Sequence, residues 1–304
     1  MSSTPLDPAV VAAVDDLEVV ARRVVEGVRS GHHRSPFHGF SAEFSQHRAY
    51  RPGDDLKYLD WKLHARTDRL YTRQFHETTN MAAVIAIDTS GSMAFPDVGV
   101  SKFRYGVVLA AALAYLIVSQ GDSVGLMTSQ GESLVYIPPR TGQLHLRTLL
   151  ARLARLKPEG TWQAARVIAR AAELLRRRGL LFVLSDFYDE EPALWREIGR
   201  ATRRGHDVSA LQILSRDEIE FPYRGAVEFE DLEGAEARVV DAAAVGRAYR
   251  GAVADFLGRV RQEALGFGLD YSLVTTDAPP DETLRRHLLR RGSSLVSHAE
   301  REKA

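Results

Sequence analysis

The chain contains no cysteine. A disulfide framework, a thiolate-held metal and a cysteine nucleophile are therefore excluded, and the composition fits a reducing compartment. An excess of either charge is lacking too, since 40 lysines and arginines face 40 aspartates and glutamates. That balance leaves no footprint for nucleic acid and no general attraction to anionic lipid, so no nucleic acid is expected as a partner. No glycine-rich loop runs into a lysine followed by serine or threonine, which excludes nucleotide hydrolysis through a P-loop. The longest apolar run, YGVVLAAALAYLIVSQ from Tyr105, falls short of the roughly 20 residues that span a bilayer. It is rich in alanine and reads as a closely packed internal helix, with no transmembrane segment expected. The opening MSSTPLDPAVVAAVDD carries acids early and lacks the basic start and unbroken apolar core of a secretory signal. A cytoplasmic protein, or one working at the periphery of a membrane, is the expectation.

What is present suffices for a large core: 304 residues, 45% hydrophobic, accommodate one large domain or one domain with an appendage. Val10, Val14, Leu17, Val20, Val24 and Val28 recur at helical spacing until Gly31, which places an N-terminal helix within residues 1–30. Residues 31–79 have another texture, with alternating acids and bases, many aromatics and no steady period. They read as an irregular annex packed against the rest, with Trp61 substantially buried. From about residue 80 the pattern becomes regular. AAVIAID, SVGLMTS, LVYIP, LLFVLSD, DVSALQIL and LDYSLVTT read as strands, the third antiparallel to the second across a tight turn and at a sheet edge.

Between these strands stand helices. KFRYGVVLAAALAYLIVSQ is apolar nearly all round, LHLRTLLARLARL repeats its leucines, and TWQAARVIARAAELLRRR runs from Thr161 to Gly179. ALWREIGRATRRG and VADFLGRVRQEALGFG follow, and TLRRHLLRR makes a last short helix. The alternation predicts an α/β fold, a doubly wound, mostly parallel sheet over residues 80–277. An excursion at about 215–245 interrupts it with a small hairpin, and residues 278–304 form a C-terminal helix and tail.

In such folds ligands sit beyond the carboxyl ends of the strands. There the segment VIAIDTSGSM, residues 84–93, ends a buried-looking strand in Asp88, Ser90 and Ser92 at intervals of two, with Gly91 permitting close backbone approach. Asp186 ends the fourth strand in the same manner. Two carboxylates brought to one rim repel unless a proton or a cation offsets the charge. Carboxylates and hydroxyls are hard oxygen ligands that suit magnesium, with manganese or calcium as substitutes. Thr161, after PEG at a helix start, can add a further hydroxyl. Each residue also has a plainer reading: aspartates at strand ends cap helices, serines satisfy loop amides, and a threonine before an amphipathic helix is an N-cap.

DTSGSM resembles the Asp-x-Ser-x-Ser motif of von Willebrand factor type A domains, whose metal-ion-dependent adhesion site also uses a threonine and an aspartate from two other loops. Thr161 in PEGTW and Asp186 in LSDF match those roles in position and order. The segment before it is similar to the signature of the bacterial domain-of-unknown-function-58 family, carried here by Tyr50, Pro52, Gly53, Asp54, Asp55, Asp60, Trp61, Ala65 and Arg66. The resemblance covers residues 35 to 280. It implies a magnesium site at Asp88, Ser90, Ser92, Thr161 and Asp186 that keeps a coordination position for a partner's acidic side chain. It also implies a MoxR-type AAA+ ATPase as partner, in chaperone-like assembly or maturation of other proteins.

Two other functions compete. A metal-dependent hydrolase would need a second metal set, a phosphate cradle or a placed general base, none of which the sequence offers. The serines of DTSGSM are not in a nucleophile elbow and no histidine is fixed near them by spacing, so enzymatic activity is not favoured. A structural protein with a vestigial metal site is the other alternative. His32 and His33 read as exposed rather than as a zinc site.

Overall fold

A computed structural model of the chain describes residues 6–30, 44–49, 70–75, 81–96, 98–175, 178–188, 192–230, 232 and 237–301. Trp61 and the family signature around it lie outside the described residues. So does most of the annex, of which strands β1 (Phe44–Ala49) and β2 (Tyr71–Phe75) pair antiparallel.

Helices α1 (Pro8–Ala12) and α2 (Leu17–Ser30) open the chain. The Asp7 side chain accepts from Ala9 N, and Asp16 accepts from Glu18 N and Val19 N. These caps satisfy backbone donors that a helix start leaves free. The regular part follows: β3 (Ala82–Ile87), α3 (Lys102–Ser119), β4 (Ser123–Gln130), β5 (Ser133–Arg140), α4 (Gln143–Leu153), α5 (Ala164–Leu174), β6 (Leu180–Ser185), α6 (Pro192–Arg203) and β7 (Asp207–Leu214). Then come α7 (Arg216–Glu220), β8 (Ala226–Glu230), β9 (Ala237–Asp241), α8 (Ala242–Gly266), β10 (Asp270–Thr275) and α9 (Pro280–Arg301).

Six strands form one sheet in the order β10-β7-β6-β3-β4-β5. All neighbours are parallel except β5, which returns antiparallel on β4 at the edge. Pro138 and Pro139 fall in this edge strand, where a missing ladder donor is tolerated. Gly125 sits at the bulge where Val124 pairs with Arg140 and Leu126 with Ile137, and a Cβ there would lie 2.6 Å from the Ile137 carbonyl. This is a mostly parallel mixed sheet flanked by helices on both faces, with N-terminal helices and an inserted strand pair.

Alternation sorts the strand side chains between the two faces. Ile85, Ile87, Phe182 and Leu184 join a core with α2, α3, α4 and α9, whereas Val84, Ala86, Leu181 and Val183 join one with α5, α6 and α8. Helix α3 lies deepest. It is the one helix among the described residues long and apolar enough to cross a membrane, yet its side chains are buried nearly all round within this core.

Several helices differ from the sequence expectation: the N-terminal helix is broken in two between Ala12 and Leu17, where Asp16 caps the second piece, and α5 ends at Leu174, short of Gly179. Helix α5 begins at Ala164, not Thr161, because Gln163 N donates to Ser129 Oγ at 3.0 Å and Trp162 is buried, which commits this stretch to the loop. Helix α8 begins at Ala242, well before Val253, because Asp241 caps it by accepting from Ala243 N. Helix α9 is no short tail but runs to Arg301.

Candidate functional site

The order of the strands locates a rim. β3 and β6 are adjacent, and on either side of them the chain winds outward in opposite directions, so their carboxyl ends flank the topological switch point. Ile87 pairs with Leu184, and Asp88 N donates to Leu184 O at 2.9 Å. Asp88 and Asp186 therefore emerge side by side.

Hydrogen bonds then connect the predicted residues. Ser90 donates to Asp88 Oδ1 from both its backbone nitrogen (2.8 Å) and its hydroxyl (2.7 Å). Ser90 Oγ lies 3.0 Å from Ser92 Oγ, and Ser92 Oγ donates to Asp186 Oδ2 at 2.8 Å. A hydroxyl contributes one proton. If both serines give theirs to ionised carboxylates, the contact between the two hydroxyl oxygens has no proton of its own. A proton on Asp88, or a cation among these oxygens, resolves that conflict.

Thr161 reaches the same cleft from another loop. Gly91 N donates to Gly160 O at 2.7 Å and Glu159 N donates to Thr89 O at 2.9 Å, so the two loops are stitched backbone to backbone. Gly160 takes a positive φ of 62°, a conformation that favours glycine. Thr161 is exposed and lines the cleft together with Asp88, Ser90 and Ser92. The structure thus gathers all five predicted residues at one rim: four in a continuous hydrogen-bonded chain and Thr161 on the adjoining wall.

The two carboxylates have different surroundings. Asp88 is buried and, among the described residues, holds only neutral donors, Ser185 Oγ on Oδ2 and Ser90 on Oδ1. Burial, and then the charge of Asp186, push its carboxyl up to about 7. Asp186 has an ammonium: Lys102 Nζ donates to its Oδ2 at 2.8 Å and to Glu218 Oε1 at 2.6 Å, with the lysine side chain 0% exposed. The same ammonium lies 4.5 Å from the centroid of the Tyr188 ring, whose hydroxyl donates to Glu218 Oε1. Burial raises the Glu218 carboxyl and Lys102 partly offsets that. Burial and the Glu218 carboxylate push the Tyr188 phenol far up.

Backbone conformation completes the Asp186 side. Phe187, buried and stacked on Trp195, has a φ of 61°, which costs a bulky residue on the order of 1–3 kcal/mol. That turn brings Phe187 N to Ser185 Oγ and Tyr188 N to Asp186 Oδ1. Gln212 holds the loop from beneath by donating to Asp186 O.

Sequence reasoning missed Lys102, Ser185, Tyr188 and Glu218. Signals for two of them were present. Lys102 is the first residue of a helix whose one other charged residue is Arg104, and Ser215 and Glu218 have the spacing of a capping box, which they form. Its carboxylate serves twice, Oε2 accepting from Ser215 N and Oε1 from Lys102 and Tyr188. Among the described residues no group of three or more histidine, cysteine, aspartate or glutamate side chains could hold a metal, so any cation here depends on the hydroxyls as well.

A family profile described as "Protein of unknown function DUF58" matches residues 46–256. An uncharacterized protein of Mycobacterium bovis is 30% identical over 236 residues, covering 76% of this chain and 74% of that protein. The uncharacterized protein YeaD of Bacillus subtilis is 29% identical over 121 residues, covering 40% of this chain and 28% of that one. Among solved structures, a conserved hypothetical protein, BatB of Bacteroides thetaiotaomicron, is similar with a TM-score of 0.48 and 17% identity, over 70% of this chain and 98% of that chain.

Proposed function

The chain belongs to the DUF58 family, whose description assigns no activity, and from the rim itself we propose a protein-binding module in which a divalent cation completes the recognition surface. The observation that supports this most is the shortage of positive charge. Asp88, Asp186 and Glu218 meet in one buried neighbourhood where Lys102 carries the one ammonium among the described residues, which leaves two negative charges on these four groups when all are ionised. A divalent cation offsets that remainder, and the hydroxyls of Ser90, Ser92 and Thr161 with the carboxylates of Asp88 and Asp186 offer it hard oxygen donors. Magnesium is the natural occupant, with manganese or calcium as substitutes. Held there, it supplies an open coordination position that a partner's acidic side chain can fill. The family resemblance adds a MoxR-type AAA+ ATPase as the partner class.

Thermal unfolding across a magnesium titration tests the site. Wild type gains stability with ligand concentration, because a ligand that binds only the native state shifts the folding equilibrium. Asp88→Ala, and Ser90→Ala with Ser92→Ala, lose that gain while staying folded, since none of these changes opens a large core cavity. Capture of a candidate ATPase in magnesium and in chelator follows the same pattern. Should Asp88→Ala gain wild-type stability from magnesium, the rim does not hold the cation.

A further inference from the structure

The excursion after β7 builds a second surface beside the rim. Phe221, buried and at a φ of 50°, is its hub. Its ring centroid lies 5.2 Å from Tyr223, 5.7 Å from Phe229 and 4.5 Å from Tyr249. Gly246 of α8 lets this ring approach, since a Cβ there would meet Phe221 at 3.2 Å. The cluster pins the inner side of the β8–β9 hairpin to α8 and leaves a cleft of 1390 Å³ that runs from Asp88, Ser90 and Ser92 to β8.

Four consecutive residues of β8, Val227 to Glu230, border that cleft. Successive strand side chains point to opposite faces, so a wall made of both sets is the edge of the strand, not one face. The other edge is paired to β9, in the register Val227 with Val240 and Phe229 with Arg238, and β9 is the sole strand neighbour of β8 among the described residues. An antiparallel pair leaves alternate N–H and C=O groups of each strand directed away from its partner, a template for a further strand.

We propose that the free edge of β8 accepts an extended segment of a partner protein as a third strand, and that this segment alternates apolar with basic side chains. The alternation follows from the residues it would face. Val227 and Phe229 are half-buried and point inward, where Tyr188, Val253 and Phe256 line the cleft, and Tyr188 and Leu232 remain 38% and 40% exposed. Partner residues opposite them are apolar. Glu228 and Glu230 are exposed on the other side, and cross-strand neighbours of opposite charge are favourable. The charge of the cleft agrees. Beyond β8 its acidic lining residues are Asp88, Asp217 and Glu218, while the one basic side chain among its lining residues, Arg166, already donates to Glu132 O and Gln163 Oε1. Main-chain bonds to the edge supply affinity and the alternating side chains supply selection. The proposal deepens the protein-binding reading and rests on its cation only for a carboxylate at the end of the segment that reaches the rim.

Fluorescence anisotropy with labelled synthetic peptides tests it on the full chain. The probe matches β8 in length, alternates lysine with valine and ends in aspartate. A second peptide has glutamate for lysine, a third and a fourth are N-methylated on alternate amides in the two possible phases, and a fifth lacks the aspartate. Wild type binds the lysine peptide at least about tenfold more tightly than the glutamate or the best-placed N-methylated peptide, a gap of about 1.4 kcal/mol. The Glu228→Lys, Glu230→Lys double variant, altered only at exposed positions, reverses the preference between lysine and glutamate peptides. Equal affinity for the two charges, indifference to N-methylation in either phase, or no saturable binding at millimolar peptide overturns the proposal. A wild-type dimer that the double variant dissociates in sedimentation also overturns it, by making a second copy the occupant. If the terminal aspartate adds nothing in magnesium while the charge reversal holds, the edge stands and the cation reading fails.

Discussion

Two strand ends one sheet position apart carry the same side chain in opposite electrostatic settings. At the end of β3, Asp88 is enclosed by hydroxyls and an amide, with no cationic side chain on it among the described residues, and its carboxyl is pushed up to about 7. At the end of β6, Asp186 rests on the ammonium of Lys102, shared with Glu218. A buried carboxylate with a paired cation is a settled structural element, whereas one with neutral donors alone retains affinity for a proton or a metal. The difference teaches that the open half of the rim is the Asp88 half. Asp186 is the half tied, through Lys102 and Glu218, to α7 and the excursion beyond it.

The largest effect should come from removing the shared cation. Lys102→Met leaves Asp186 and Glu218 buried together without compensation, and breaking such a pair costs about 3–5 kcal/mol. Chemical denaturation measures it. Adding Glu218→Gln should recover part of the loss, because the two sites are coupled through one ammonium. A single-variant loss below about 1 kcal/mol would mean that Lys102 does not set the two halves apart.

Next in size is a gain that depends on pH. The folded value for Asp88, about 7, lies above the ordinary 3.8. The native state therefore binds the proton more tightly than the unfolded chain does, and stability is lost as pH rises from about 4 through 7. Asp88→Asn removes this loss. In chelator the variant should lie about 1 kcal/mol below wild type near pH 4, for one weakened hydrogen bond, and exceed it by about 2–3 kcal/mol at pH 8, the shift less that bond. Urea denaturation at both pH values checks this, and a gain of equal size at the two would contradict it.

Smaller still are the single hydrogen bonds on each side. Ser185→Ala takes away the donor to Asp88 Oδ2 and the acceptor of Phe187 N, and should cost about 2 kcal/mol at neutral pH, because no other described residue donates to that oxygen. Tyr188→Phe takes away only the hydroxyl bond to Glu218 while the ring stays over Lys102, and about 1 kcal/mol is expected. Equal costs in parallel denaturation curves would erase the contrast between the uncompensated and compensated halves.

The sheet and its rim were legible because buried strands carry their own mark. VIAI and LLFVL are apolar runs that suit burial on both faces, and in an alternating fold the residue after such a run lies at a predictable end. That was enough to put Asp88 and Asp186 on one rim and the third strand at an edge. The first turns of α8 were missed although Asp241 and three alanines form a helix start; Gly246 and Gly251 weaken that local signal, and the packing of Phe221 against Gly246 that offsets it is non-local. Trp61 remains an expectation, as it lies outside the described residues.

The sequence by itself determined which residues end the strands and the local geometry of DTSGSM, because short-range spacing and burial pattern decide both. Only the tertiary structure decided how those residues are charged. Lys102, Asp186 and Glu218 are separated by 84 and 116 positions along the chain, and no local pattern announces that they meet. The balance between a carboxylate with an ammonium and one without depends on distances of a few ångströms and on the exclusion of water, quantities that exist only once the sheet, α3 and α7 have packed together.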